Sequence, residues 1–368
     1  IQFSFDGRRQ LSNLRKAIKW EFNNGEVIKK EMILLPKTNA NVVDSGLDWL
    51  SKTQEDGGFW DPGKYEGKTT DQSKVMSTAI CLLTFLGAGN TDRIGKYKKI
   101  VKQAVIWLIS VQRDDGSFTN NNQVNGICTQ ALAEATGMGC GGNEVKLGAE
   151  KACKFILSQQ NASGGFNDFG KSEKLEPGDY DKMPATVFCI AGLKSAQLAG
   201  IYESEIRVCF NKTDQLFNKI PTTGDMTETS QGKAWFNGGG DTTESSEGGI
   251  NQAMALLIRQ YLGHERTEPW SKAAAKELSL YLPKDSSSIN FVQVYFQFLT
   301  LFQQGGDVFK NWNLKSTDIL FQAQSDDENL FCSWPKMNTA PFADGGRVAS
   351  SAFAILSLEI YYRYKCKH

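Results

Sequence analysis

Carboxylates stand close together at several points in this sequence, and each pairing could do chemistry. Asp114 and Asp115 lie in "WLISVQRDDGSF", Asp179 and Asp181 in "EPGDYDK", Asp241 and Glu244 in "AWFNGGGDTTESSEGG", and Asp326 and Asp327 in "QSDDEN". Two neighbouring carboxyl groups can divide acid and base duties at a sugar or hold a divalent cation. The surroundings narrow these options. Lys182 follows Asp181, and an ammonium there favours an ionised carboxylate over a neutral acid. The plainer reading of "EPGDYDK" is a turn leading to a helix N-terminus, where aspartates are electrostatically favoured. Asp241 and Glu244 lie in a long, glycine-rich, acidic stretch, residues 222–249, which also carries Trp235. Aromatics beside carboxylates suit carbohydrate recognition, with rings on sugar faces and acids on hydroxyls; a solvated loop is the alternative.

Cysteine and histidine give less. The eight cysteines are Cys81, Cys128, Cys140, Cys153, Cys189, Cys209, Cys332 and Cys366, with no C-x-x-C among them, and the two histidines are His264 and His368. That set does not make a zinc site, and no metal or other cofactor is expected. Cysteines inside apolar runs such as "TAICLL" read as buried free thiols, which suit a reducing, cytoplasmic compartment. Lys plus Arg and Asp plus Glu both number 41, so no basic surface points to nucleic acid. No run of eighteen apolar residues is present, so the sequence holds no bilayer span. The first residue is Ile1, which leaves room for an upstream signal or anchor.

The elements that position these groups repeat. "GLDWLSKTQEDGGF", "AVIWLISVQRDDGSF" and "ACKFILSQQNASGGF" share a small residue, an aromatic (Trp49, Trp107, Phe155), an aliphatic, a glutamine (Gln54, Gln112, Gln160), a glycine and a terminal Phe59, Phe118 or Phe166. The period is about 50 residues. A weaker copy carries Gln324 in "STDILFQAQSDDENLF", and two degraded copies are expected near Leu216 and Leu278. Asp114–Asp115 and Asp326–Asp327 occupy the same slot after the repeat glutamine, which makes them parts of a joint. Between the joints lie more apolar segments, such as "MSTAICLLTFLGAG" and "SSAFAILSLEIYYRY", most of them ending in glycine. Each unit therefore reads as an amphipathic outer helix, a polar loop and an apolar inner helix. Six such pairs predict an all-α (α/α)6 toroid over residues 41–368, with an open solenoid as the alternative. The last unit is as apolar as the middle ones, which favours the closed ring. Residues 1–40 are expected to form an amphipathic helical arm, with Leu11, Leu14, Ile18 and Phe22 as its stripe. It is expected to pack on the outside of the toroid with its basic residues as a solvated face; the alternative is peripheral membrane association through residues 1–22 beside an upstream anchor.

The repeat resembles the QW motif of squalene cyclases, in which the terminal aromatic is usually Trp. The pattern over about residues 42–364 looks most like bacterial prenyltransferase/squalene-oxidase-repeat proteins, in the superfamily of terpenoid cyclases and protein prenyltransferases. That resemblance implies the toroid and a central cavity for an apolar or isoprenoid-like ligand, and it leaves open whether the chain is an enzyme. Cyclases use an Asp-x-Asp-Asp run; here Asp179-Tyr180-Asp181-Lys182 keeps the place and loses the fourth residue. Zinc ligands of protein prenyltransferases would fall at Ala185 and near Asn125 and Ile127, and none of these is a ligand. "GMGCGGNE" resembles the thioester segment of complement-type toroids, with Asn143 where that segment has Gln; a glycine-rich turn with a free Cys140 is the alternative.

Three functions follow as expectations. An isoprenoid-binding cavity would be lined by Phe291, Tyr295 and Phe298. A carbohydrate-active lyase or hydrolase would use a rim with Asp71, Tyr180, Trp235, Asp241, Glu244, Trp334 and Arg347. A protein-interaction scaffold would have its centre filled.

Overall fold

Two kinds of helix alternate along the chain, and burial separates them. The computed structural model describes residues 38–175, 181–219, 247–283, 285, 288–338 and 342–360, with the strand backbones at 2–3, 16–23, 26–34 and 364–365. Outer helices are α1 (Asn39–Lys52), α3 (Lys98–Val111), α5 (Gly142–Ser158), α7 (Glu203–Lys219), α9 (Pro269–Leu278) and α11 (Gly306–Ala323). Inner helices are α2 (Asp71–Gly87), α4 (Asn122–Gly137), α6 (Met183–Leu198), α8 (Glu247–Leu262), α10 (Phe291–Gln304) and α12 (Gly346–Leu358). Outer helices bury one stripe, as Val101, Ala104, Val105 and Leu108 do in α3. The inner helices α4 and α12 are buried along almost their whole length. That difference follows from the ring: an inner helix has neighbours on every side.

The ring is closed. Each inner helix packs on the next around the circle, and α12 returns to α2. The chain is thus an (α/α)6 toroid, and the degraded units expected near Leu216 and Leu278 are α7 and α9. Helix starts are set locally, by capping boxes at Thr38 and Thr70 and by the Asn121 side chain at α4.

Each well-kept joint is a glutamine clamp. The Gln54 amide donates to the Gly58 carbonyl of its own turn (3.1 Å) and to the Ile100 carbonyl of the next outer helix (3.0 Å). Gln112 does the same with Gly116 and Gly148, and Gln160 with Gly164 and Cys209. Gln324, buried, binds the Cys332 carbonyl at 3.1 Å and the Val42 carbonyl of α1 at 3.0 Å, so it joins the last outer helix to the first. Gly58, Gly116 and Gly164 hold positive φ, and a Cβ at Gly116 or Gly164 would stand 2.3 Å from a carbonyl of the next outer helix. Cys332 fills this slot in the last copy, also with positive φ.

The clamp corrects the alignment of the terminal aromatic. Two residues beyond the clamped glycine stand Trp60, Phe118 and Phe166, and two beyond Cys332 stands Trp334. Their backbone N–H groups donate to Thr78, Asn125, Thr186 and Ser351, each on the following inner helix. Trp60 therefore holds the place first assigned to Phe59. Phe59 instead stacks on Trp107 of the neighbouring outer helix, centroids 5.2 Å apart. The spare glycine in "DGGF" shifted the register by one residue. In units four and five an inner-helix side chain replaces the clamp: Arg259 donates to the Phe217 carbonyl, and Gln297 to those of Leu278 and Tyr281.

Gln324→Ala is expected to lower unfolding free energy by about 1–2 kcal/mol, since it leaves the Val42 carbonyl of α1 and the Cys332 carbonyl of the turn without their shared donor. Urea unfolding followed by circular dichroism checks this. A change no larger than that of a surface substitution would remove the closing role.

The N-terminal segment differs from the helical arm expected. Lys16–Asn23 (β2) and Glu26–Leu34 (β3) pair antiparallel, and Gln2–Phe3 (β1) pairs with Tyr364–Lys365 (β4). The physical reason lies in the sequence. Ile18, Trp20 and Phe22 alternate with Lys19 and Glu21, a strand period, and Asn24-Gly25 is the dipeptide that short hairpin connections favour.

Candidate functional site

The centre of the ring is occupied by rings of another kind. Phe188 on α6 meets Phe296 on α10 at 5.3 Å, and Phe296 is followed by Tyr295, Phe353 on α12 and Phe342, which returns to Phe188 at 5.4 Å. This closed circuit of five aromatics, all buried, joins α6 to α10 and α12, neither of which is its neighbour in the ring. Its contacts are mostly edge-on or tilted, the arrangement that aromatic quadrupoles favour. Tyr295, expected to line an apolar cavity, is packed among these rings.

The expected cavity residues are accordingly core. Tyr295 belongs to the circuit. Phe298 is fully buried between the helix layers, on Trp312 of α11 at 4.8 Å, so it does not line a central space. Phe291, the first residue of α10, is also buried. Trp334 is a joint residue whose indole donates to the Leu320 carbonyl at 2.8 Å, so it is closed to a rim ligand. Arg347 is buried at the seam between the last and first units, donating to Glu66 at 2.7 Å and to the Ser333 hydroxyl at 3.2 Å. Asp71 is exposed in the first turn of α2. Asp179, Tyr180, Trp235, Asp241 and Glu244 lie outside the described residues.

Asp181 is inside a joint. One of its oxygens accepts from the Asn161 amide at 2.8 Å and the Ser163 hydroxyl at 2.7 Å, which fixes the turn after Gln160. Asp115 and Asp327 behave as their shared slot suggests. Asp115 accepts from the Ser117 hydroxyl and N–H, bonds that hold its carboxyl below the usual range, and Asp327 accepts from the N–H groups of Asn329 and Leu330. Asn125, near the expected zinc-ligand place, accepts from the N–H groups of Phe118 and Thr119 instead. Among the described residues, no cluster of His, Cys, Asp or Glu is placed to hold a metal ion. Cys140 sits buried in the turn after α4, and burial pushes its thiol up to about 11; the thiols of Cys153 and Cys209 are pushed up to about 12. Such thiols are not nucleophiles at neutral pH. Among the described residues, no helix is long and apolar enough to cross a membrane.

One feature of the rim had no sequence signal. The loop after the Gln160 joint is held by the first turn of α4. The Asn122 amide donates to the carbonyls of Asn167 (2.9 Å) and Gly170 (3.2 Å), its N–H to that of Asp168 (2.8 Å), and the Gln123 amide to the Asp168 carboxylate (2.6 Å). Farther on, the Ser172 N–H donates to Asn161 at 2.7 Å. This firmly anchored loop leaves the Phe169 ring 64% exposed. Exposure of a single Phe depends on where its loop is pinned, so no periodicity in the chain reveals it.

A family model for the prenyltransferase alpha-alpha toroid domain matches residues 19–211, more than half of the chain. The chain belongs to this family. Its match begins within β2 and ends in α7, so it spans three of the four units with glutamine clamps. No curated protein matches the toroid. Solved structures share its architecture. The alpha-1,6-mannanase GH76A of Salegentibacter sp. HEL1_6 aligns over 88% of this chain and 98% of its own, at 8% identity and TM-score 0.56. An unsaturated glucuronyl hydrolase specific for heparin aligns over 88% and 95%, at 10% identity and TM-score 0.57. Dfg5 from Chaetomium thermophilum, in complex with glucosamine, aligns over 90% and 93%, at 10% identity and TM-score 0.54. At these identities the likeness is one of fold.

Proposed function

We infer that this toroid binds a carbohydrate on the rim, at the loop that carries Asp168 and Phe169, and not an isoprenoid in its centre. The observation that carries this reading is the exposed Phe169 ring on a loop pinned by Asn122 and Gln123. An exposed apolar ring carried on an anchored backbone is partly preorganised for stacking, because the loop loses little freedom on binding. Asp168 beside it supplies an acceptor for sugar hydroxyls. The buried five-ring circuit spans from α6 to α10 and α12, and this counts against an apolar chain in the centre. The fold neighbours give secondary support, since their structures include complexes with mannotriose and glucosamine. Asp71 and the acidic stretch with Trp235, Asp241 and Glu244 are proposed as further parts of the same rim. Catalysis is not part of this reading.

Calorimetric titration with mannotriose and with chito-oligosaccharides tests it. Phe169→Ala is expected to weaken binding by about fivefold, the worth of one aromatic contact of ~1 kcal/mol. Phe169→Tyr should retain it, and neither change should move the circular dichroism melt, since the ring is mostly exposed. Undiminished affinity in Phe169→Ala, or no binding of either glycan class, would overturn the proposal.

A further inference from the structure

A second candidate recognition surface lies between two outer helices of the last units, α9 and α11. Between the C-terminal end of α9 and the first turns of α11 is a cleft of about 320 Å³. Its apolar lining comes from Leu282, Val308 and Trp312, the last only 2% exposed. Asp307, Asn311 and Lys315 line it as well. These three follow one another every fourth residue on α11, so they share one face and span about 12 Å. All three are exposed, and among the described residues none is paired by a hydrogen bond or ion pair. Leu280 and Leu314, beside the lining residues in sequence, are 77% and 64% exposed. Grouped exposed apolar side chains mark an interaction surface more often than scattered single ones do.

We propose that this cleft docks an extended segment of a partner protein, with one apolar side chain between a basic and an acidic residue. The charges set the occupant. Asp307 at one end calls for a cation and Lys315 at the other for an anion. About 12 Å corresponds to about four residues of extended chain, so the complementary pattern is basic-x-apolar-x-acidic. The volume lies at the low end of ligand sites, about 300 Å³, enough for an anchoring side chain and not for a large cofactor. Asn311, midway, can bond the backbone amide of such a segment. Because none of its lining residues belongs to the Phe169 loop, this proposal does not depend on the rim reading.

The test uses a labelled, end-blocked peptide Arg-Gly-Leu-Gly-Glu and fluorescence anisotropy with the full chain. Saturable binding is expected, and it should be lost when the peptide's Leu is replaced by Ser. Lys315→Glu should weaken binding by about fivefold, the effect of one exposed ion pair. The same variant should bind Arg-Gly-Leu-Gly-Arg more tightly than the unsubstituted protein does. Lys315 is exposed, so the change leaves the fold intact. Absence of saturable binding into the millimolar range, or equal affinity in Lys315→Glu, would overturn the proposal. Concentration-dependent self-association abolished by Lys315→Glu would also overturn it, by giving the cleft to a second copy of the chain.

Discussion

Phe296→Ala is expected to lower unfolding free energy by about 3–5 kcal/mol, a large share of the total stability of an ordinary domain. Phe296 is buried and touches both Phe188 and Tyr295, so its loss cuts the aromatic circuit on two sides. The helices around it are fixed by clamps that do not involve it, so the gap should persist instead of collapsing. A void lined by aromatics stays dry and accepts benzene-sized ligands. The variant should therefore gain affinity for a small apolar ligand that the unsubstituted protein does not bind. Phe298→Ala is the control. It should cost a similar amount, since Phe298 packs on Trp312, but its void lies between the helix layers. Denaturant unfolding gives the energies, and ligand-observed NMR with benzene gives the binding. Equal benzene binding before and after the substitution would mean the centre is not filled, and the isoprenoid reading would return.

The clamps that hold this circuit were legible in the sequence, because a glutamine recurring every ~50 residues has no explanation in local propensity. The closed ring followed from the apolarity of the last unit. Other features were hidden for physical reasons. A doubled glycine before Phe59 and Trp60 makes two registers equally regular, and only the Trp60 bond to Thr78 separates them. Cys332 takes a glycine's backbone conformation, which composition cannot reveal. Units four and five look degraded because Arg259 and Gln297 do the clamping from the inner helix, at positions the repeat does not mark. In the N-terminal segment, Leu11, Leu14, Ile18 and Phe22 satisfy a helical stripe, while Ile18, Trp20 and Phe22 satisfy a strand alternation. The strand prevailed where Asn24-Gly25 could pair β2 with β3. Of the site residues named from sequence, Asp181, Trp334 and Arg347 each bond within a joint or a seam, a role that their residue type does not separate from ligand binding.

Gly126→Ala should destabilise the protein by about 2–3 kcal/mol, although alanine is the better helix former by about 1 kcal/mol. The sign is decided by what the added methyl meets. On α4, a Cβ at Gly126 would lie 2.6 Å from the Phe188 carbonyl carbon and 2.8 Å from the Cys189 nitrogen. These are backbone atoms of α6, so neither can rotate away. Gly192 makes the same approach in reverse, with its Cβ position 2.6 Å from the Gly126 carbonyl oxygen. The two helices must separate by several tenths of an ångström, and Phe188, which carries the aromatic circuit, moves with α6. Gly148→Ala on α5 is the counter-case. Its Cβ would meet the Ile109 Cδ1 atom at 2.3 Å, the far end of a flexible side chain, and the Gln112 clamp bonds only its carbonyl. There the helix-propensity gain should offset most of the crowding, leaving a change within about 1 kcal/mol of zero. Urea unfolding of the two variants in parallel measures the difference. If Gly148→Ala costs as much as Gly126→Ala, backbone contact between α4 and α6 is not what holds the circuit in place.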